Sequence, residues 1–115
     1  MSTSEKRVVV TGIGLITSNG TGRAEVWESI LAGRSGAAPI TLFDTTEFVT
    51  KFACEVKGFD PVGYMEAKTA RRMDRFAQLA VAAGKLAVED AKLPLQEGGN
   101  DRIGTSVASG IGGLS

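Results

Sequence analysis

The first third of the chain has the hydrophobic pattern of a buried strand followed by a helix. Arg7 to Ile13 read RVVVTGI, an apolar and largely β-branched run without polar alternation, which predicts a strand buried on both faces in a parallel sheet. A polar, glycine-rich loop follows over 14–22. From Arg23 the pattern is helical, with Gly33 placed to end the helix and an apolar face made of Val26, Trp27, Ile30 and Leu31. A strand followed by a helix indicates an α/β fold.

The middle of the chain is rich in turn residues and contains one further strand pattern. Between 34 and 50 the sequence is irregular, and Phe43 and Phe48 are expected to hold this long segment to the core. Lys51 to Val56 then alternate polar and apolar side chains, which predicts a half-exposed strand. The middle segment therefore adds a strand and no helix.

The longest helical pattern runs from about Met65 or Lys68 to Lys92 and is rich in alanine. Small side chains dominate one stripe of it, which predicts very close packing against another helix or a sheet. The stripe comprises Met73, Ala77, Ala80, Gly84, Ala87 and Ala91. Arg102 to Ser109 read RIGTSVAS and predict a second buried strand, followed by a glycine turn. Because the chain stops just after a core strand, we expect it to be cut short.

Composition narrows the chemistry that this chain can perform. It has 115 residues, one cysteine and no histidine, which excludes a complete Ser-His-Asp or Cys-His site, a histidine-ligated metal centre and an internal disulfide. A hydrophobic content of 43% predicts a folded domain. With 13 basic and 13 acidic side chains, the chain has no overall field that would attract nucleic acid or a membrane. A lone thiol and a start without an export signal favour a cytoplasmic location.

Two glycine clusters follow the two predicted buried strands. Gly12-Ile13-Gly14 suggests dinucleotide binding, but Thr17 stands where the third glycine of that motif belongs, so this interpretation is disfavoured. The second cluster, Ser109 to Gly113, lacks the lysine of a phosphate-binding loop. Spacing alone favours a tight turn there, while the alternative is that Ile111 projects into a pocket.

Two other features are candidates for chemistry or binding. Cys54 lies in a predicted strand with no cation or helix N-terminus nearby to stabilise a thiolate, so a buried structural role is favoured. Lys68, Arg71, Arg72 and Arg75 are spaced to share one helical face. Such a basic stripe is usually a solvated surface, and the alternative is docking to an acidic or phosphorylated partner.

Several motifs together, in their order along the chain, resemble the N-terminal part of the β-ketoacyl-acyl carrier protein synthases. They are RVVVTGIGLITSNG, the W-x-x-I-L-A-G-R-S-G run from Trp27 to Gly36, FDTTEFVTKFACEVKGFD, KTARRMDRFAQLAVAAGKLAVEDA and RIGTSVASGIGGL. The elongating synthases of bacterial fatty acid synthesis are the most similar type. The resemblance covers essentially the whole chain from Arg7, so residues 1–115 are expected to be the N-terminal portion of the N-terminal domain.

The resemblance implies a fold and a reaction. The fold is thiolase-like, with two related α/β halves in a layered αβαβα arrangement, and the complete enzymes are usually homodimers. Their reaction is a decarboxylative Claisen condensation on acyl groups carried by the phosphopantetheine of acyl carrier protein, performed by one cysteine and two histidines without a metal or cofactor. None of these catalytic residues maps onto this chain, and the resemblance places them beyond Ser115.

Some positions can be carried over residue by residue. Lys68, Arg71 and Arg72 match basic positions that meet the acidic carrier protein in similar synthases. Ile111, with Gly110 beside it, matches the apolar residue of a turn that lines or gates the acyl-chain pocket, usually near the dimer interface. Cys54 matches a position that is usually small in the family.

The chain also departs from the family's pattern and leaves alternatives open. Ser18-Asn19-Gly20 departs where relatives often have a proline before the glycine, which puts only the loop conformation in doubt. One alternative keeps the family but makes the chain part of a non-catalytic, chain-length-factor-like partner subunit of a polyketide synthase. The other is a small nucleotide-binding module.

Overall fold

The computed structural model describes residues 5–113. Outside that range lie residues 1–4 and residues 114 and 115. The first of these belong to the N-terminal segment in which the sequence analysis found no export signal. In chain order the elements are β1 (Ile16–Thr17), β2 (Gly20–Thr21), α1 (Arg23–Leu31), β3 (Ala38–Pro39), β4 (Phe52–Ala53), a 3₁₀ turn (Pro61–Gly63), α2 (Ala67–Ala70) and α3 (Arg75–Ala91). No helix among the described residues is long and apolar enough to cross a membrane.

The two buried strands predicted at Arg7–Ile13 and Arg102–Ser109 do not form as strands. Strand structure requires hydrogen bonds to a neighbouring strand, and neither segment pairs with one within 5–113. Their side chains are correspondingly open to solvent, and Val8 is 95% exposed. The prediction of a parallel sheet buried on both faces is therefore wrong for these two segments of the structure.

The glycine-rich loop at 14–22 contains a short antiparallel hairpin. Strands β1 and β2 pair Ile16 with Thr21 and Thr17 with Gly20. Asn19, in the turn, donates its side-chain amide to the carbonyl of Arg34 at 2.7 Å, beyond the end of α1. The departure from the family pattern at this loop therefore supplies an amide that holds the hairpin against the chain after α1.

Helix α1 begins at the predicted residue, and its predicted end is also confirmed. Arg23 is its first residue, and Gly33 adopts the left-handed conformation at φ 64° just beyond its end. Only part of the predicted apolar face is covered. Val26 is buried, whereas Trp27 is 58% exposed and Ile30 is also exposed.

The second hairpin is shorter than the sequence predicts. The predicted strand Lys51–Val56 is reduced to β4, which pairs with β3 in antiparallel register. Phe43 and Phe48 do not hold the intervening loop to the core, since they pack edge to face on one another at 5.5 Å and remain more than half exposed. The loop is instead held by the carboxylate of Glu55, which accepts hydrogen bonds from the amide and hydroxyl groups of Thr41 and from the amide of Leu42.

The long predicted helix is divided into α2 and α3. The amides of Arg72 and Met73 donate to carbonyls three residues earlier, at Thr69 and Ala70, so the chain tightens into a turn instead of continuing the helix. Asp74 is then extended, with φ −63° and ψ 155°, before α3 begins. Helix α3 ends at Ala91, and the next residue, Lys92, is left-handed with φ 50°.

Part of the small-residue stripe of α3 packs very closely, at Ala87 and Ala91. Its partner is the glycine segment at 12–14 and not the helix or sheet that the sequence predicts, and Gly84 of the same stripe is exposed. A Cβ added to Gly12 would lie 2.6 Å from the Cβ of Ala91, and one added to Gly14 would lie 2.6 Å from the amide nitrogen of Ala87. The amide of Ile13, between these glycines, donates to the Asp90 carboxylate at 3.0 Å. The first glycine cluster therefore serves to bring the backbone onto α3, which accounts for its glycines without a nucleotide.

Candidate functional site

Three basic side chains are grouped where α2 ends, and we call Lys68, Arg71 and Arg72 the basic turn. Lys68 lies within α2, Arg71 follows its last residue, and Arg72 is in the turn toward α3. All three side chains are exposed. The structure therefore brings together the three residues that the sequence assigned to partner binding.

Hydrogen bonds from a side chain of α3 hold the backbone of the basic turn. Its backbone bonds include the Arg71 amide donating to the Ala67 carbonyl at 3.1 Å. The side-chain amide of Gln78 donates to the carbonyls of Ala70 at 2.8 Å and Met73 at 3.1 Å. Ala70 itself is buried, at 4% exposure. The backbone of the basic turn is thus bonded to α3, while its charged side chains are exposed to solvent.

No salt bridge to a carboxylate is observed for the basic turn in the part of the chain that the structure describes. Within 5–113 the observed ion pair joins Arg23 to Asp90 at 3.3 Å, and it involves none of the three residues. Exposed guanidinium groups can form paired hydrogen bonds to a carboxylate or phosphate, which makes this surface suitable for an anionic partner.

Arg75 does not belong to the basic turn, which corrects the prediction of a four-residue stripe. The break between α2 and α3 turns it away, and its guanidinium lies 4.7 Å from the centre of the Phe59 ring. It also donates to the carbonyls of Phe59 at 3.4 Å and Val56 at 3.5 Å. Phe59 in turn stacks on Tyr64. Arg75 therefore fastens the start of α3 to the preceding segment.

The second glycine cluster forms a tight turn beside the start of α3. The amide of Gly112 donates to the Ser109 hydroxyl at 2.9 Å. A Cβ on Gly113 would lie 2.7 Å from the carboxyl carbon of Asp74, so this turn reaches the same end of α3 as the basic turn. Ile111 is 77% exposed. The assignment of Ile111 and Gly110 to an acyl pocket stays a prediction.

Cys54 is exposed, so its predicted burial is wrong in this structure. It follows β4, whose short hairpin is not covered there by a second layer. No group of three or more acidic, cysteine or histidine residues suitable for a metal ion occurs in the described part of the chain.

An apolar groove lies between the N-terminal segment and α1. Its volume is about 430 Å³, and its lining includes Ile13, Leu15, Trp27 and Ile30. The exposed half of the predicted apolar face of α1 thus forms one wall of this groove. Trp27 and Ile30 belong to the apolar face that the sequence predicts, and both remain exposed within 5–113.

Sequence reasoning missed Gln78. A lone glutamine in an alanine-rich helix carries no motif, and only the fold shows that it reaches two carbonyls outside α3. The break after Ala70 was also missed, because the helical spacing of the apolar residues continues through it.

Fold and site together define an α/β chain whose small-residue helix carries a basic turn and a glycine turn at one end. The chain matches the family model described as "Beta-ketoacyl synthase, N-terminal domain" over residues 5–115, and it belongs to that family.

Individual relatives agree with this family. The chain is 50% identical over 111 residues to 3-oxoacyl-[acyl-carrier-protein] synthase 2 of Vibrio cholerae, covering 96% of this chain and 27% of that protein. It is 46% identical over 110 residues to the protein of the same name from Synechocystis, covering 96% of this chain and 26% of that protein. The chain thus spans about a quarter of the length of these relatives.

A solved structure described as "The ishigamide ketosynthase/chain length factor" is also similar. The TM-score is 0.69 at 48% sequence identity, and the match covers 75% of this chain and 21% of that one. The similarity of the backbone, at this identity, agrees with the family assignment and with an α/β fold.

Proposed function

We propose that this chain is the N-terminal portion of a 3-oxoacyl-[acyl-carrier-protein] synthase of fatty acid synthesis, an acyltransferase that condenses acyl groups with malonyl-acyl carrier protein. The observation that carries the proposal is 50% identity over 96% of the chain to a synthase of that name. The complete enzyme would have the layered αβαβα fold, act as a homodimer and be cytoplasmic.

Within that enzyme this portion supplies binding surfaces and no catalytic residue. The chain contains no histidine, so the two histidines of the condensing site must come from other parts of the protein. Cys54 is exposed next to β4, and no hydrogen bond to it from a basic group is observed among residues 5–113, which does not suit an acyl-accepting thiolate. No metal or cofactor is part of the proposed reaction.

The basic turn is proposed to dock the acidic acyl carrier protein, which delivers its acyl group on phosphopantetheine. Three exposed cations without carboxylate partners in 5–113 support this role. Exposed charges at the rim of an interface mainly speed encounter and orient the partner. Ile111 and Gly110 are proposed to line the acyl pocket, where Ile111 would tune chain-length preference.

Charge reversal in the complete synthase tests the docking role. Arg71→Glu combined with Arg72→Glu is expected to raise KM for the acyl carrier protein and to leave kcat and thermal stability close to the parent values. The matched control is Lys85→Glu with Arg102→Glu, which makes the same change in net charge at exposed positions away from the basic turn. Equal KM values for the two double variants would contradict the docking role.

A second candidate is a non-catalytic, chain-length-factor-like subunit. The observation that favours it is the similar solved structure, whose description names both a ketosynthase and a chain length factor. The two candidates differ in the protein sequence downstream of Ser115. A nucleophilic cysteine followed by two histidine motifs supports the enzyme, and their absence supports the partner subunit.

A further inference from the structure

Gln78 connects α3 to the end of α2 through one side-chain amide. Its Nε2 atom donates to the carbonyl of Ala70, the last residue of α2, at 2.8 Å and to the carbonyl of Met73 at 3.1 Å. The side chain is partly buried beneath the turn. Both protons of one amide are therefore used to bond the two carbonyls that flank Arg71 and Arg72.

This contact matters because α2 cannot hold its own end. Its four residues form a single turn, far shorter than a helix that is stable by itself, and the carbonyls at a helix end lack partners within the helix. The amides of Arg72 and Met73 make only bonds to residues three positions earlier. The conformation of the turn therefore depends on contacts from outside it, and the Gln78 amide supplies one of them on each side of the two arginines.

We propose that Gln78 is a positioning residue for the basic turn. By holding the backbone on both sides of Arg71 and Arg72, it limits the directions in which the two side chains leave the turn toward the anionic partner. Groups that are ordered before binding lose less conformational entropy when the complex forms. The inference rests on the proposed docking function, to which it adds a residue that acts through the two arginines.

Replacing the amide in the complete synthase tests this role. Gln78→Met keeps a long, flexible side chain and the helix propensity of α3 while it removes both donors. KM for the acyl carrier protein is expected to rise about threefold to tenfold with kcat unchanged, because loss of the two hydrogen bonds loosens the backbone on both sides of the arginines. Gln96→Met is the matched control, because Gln96 is exposed in the loop after α3 and is expected to leave KM unchanged.

A double-mutant cycle separates positioning from general destabilisation. Gln78→Met is also placed in an Arg71→Ala, Arg72→Ala background. If Gln78 acts through the two arginines, its replacement there should hardly change KM for the acyl carrier protein. The expected result is a KM increase in the parent background and nearly none in the other. An equal increase in both backgrounds would overturn the proposal, because Gln78 would then act elsewhere. Should Gln78→Met fail to fold, Gln78→Asn takes its place, since its shorter side chain cannot reach both carbonyls.

The same cycle distinguishes failure of the inference from failure of the proposed function. If the Arg71→Ala, Arg72→Ala variant itself has the parent KM, the docking function is wrong and the inference fails with it. If that variant has a raised KM while Gln78→Met and Gln78→Asn do not, docking stands and the positioning role is overturned.

Discussion

Gly14 shows how one residue sets the distance between two parts of this protein. It lies so close to α3 that a side chain would overlap the backbone of that helix at Ala87. The motif that resembles a nucleotide-binding loop is explained here by packing, because a glycine without Cβ is what lets two backbones approach. The sequence predicted close packing along this stripe against a helix or a sheet, whereas a segment without regular secondary structure lies on part of it.

A methyl group at this position is expected to destabilise the protein. Gly14→Ala would place its Cβ 2.6 Å from the Ala87 amide nitrogen, and overpacking of this kind costs about 1–3 kcal/mol. The melting temperature of the complete synthase should fall by about 2 °C or more. Gly63→Ala is the control, since no atom lies within 4 Å of its added Cβ and its effect should stay within about 0.5 kcal/mol. A parent-like melting temperature for Gly14→Ala would contradict the close contact.

At the scale of the elements, the loop between β3 and β4 depends on one carboxylate. Glu55 accepts three hydrogen bonds from Thr41 and Leu42, at 2.8 to 3.2 Å. The bonds from the Thr41 amide and hydroxyl are the main reason that the pKa of Glu55 lies below its usual value. Two-residue strands contribute few backbone bonds, so this side chain is a principal tie between the two sides of the hairpin.

Acid is therefore expected to loosen this loop. Because the folded pKa of Glu55 is depressed, its stabilisation is fully present above the ordinary pKa of an unfolded glutamate and is lost as pH falls through the lower folded pKa. Hydrogen exchange over residues 38–56, corrected for intrinsic rates, should be faster at about pH 3 than at about pH 6.

The variant Glu55→Gln tests how much of the faster hydrogen exchange at low pH is caused by protonation of Glu55. The Asp44 carboxylate in the same loop also has a lowered pKa, caused first by the Thr46 hydroxyl and then by the Thr46 amide, and it remains in the variant. The variant should therefore show a smaller rise in exchange between the two pH values than the parent. The same rise in both proteins would show that Glu55 is not the group responsible.

At the scale of the whole molecule, the chain leaves much apolar surface uncovered. Its radius of gyration is 17.9 Å, compared with about 13 Å for a compact chain of 100 residues. The buried hydrophobic side chains within 5–113 are Val26, Ala70 and Ala82, whereas Val8, Val10, Val107 and other large apolar residues are exposed. Surfaces of this kind are usually covered by other parts of a protein or by a partner.

The isolated chain, residues 1–115, is accordingly expected to bind a hydrophobic dye, to self-associate in solution and to show no condensing activity. The physical reasons are its open apolar segments and its lack of histidine. Dye fluorescence, light scattering and turnover with acyl- and malonyl-carrier protein check these outcomes, with the complete synthase as the control. Measurable turnover by the isolated chain would refute the assignment of all catalytic residues to other parts of the protein.

The sequence by itself determined the family, the start and end of α1 and the small-residue stripe of α3, because these depend on local propensity, turn residues and the order of motifs. Tertiary structure decided what depends on a partner distant in sequence. The runs at 7–13 and 102–109 lack paired strands, Arg75 turns to Phe59, and Gln78 holds the basic turn, since each outcome is set by contacts that no local pattern records.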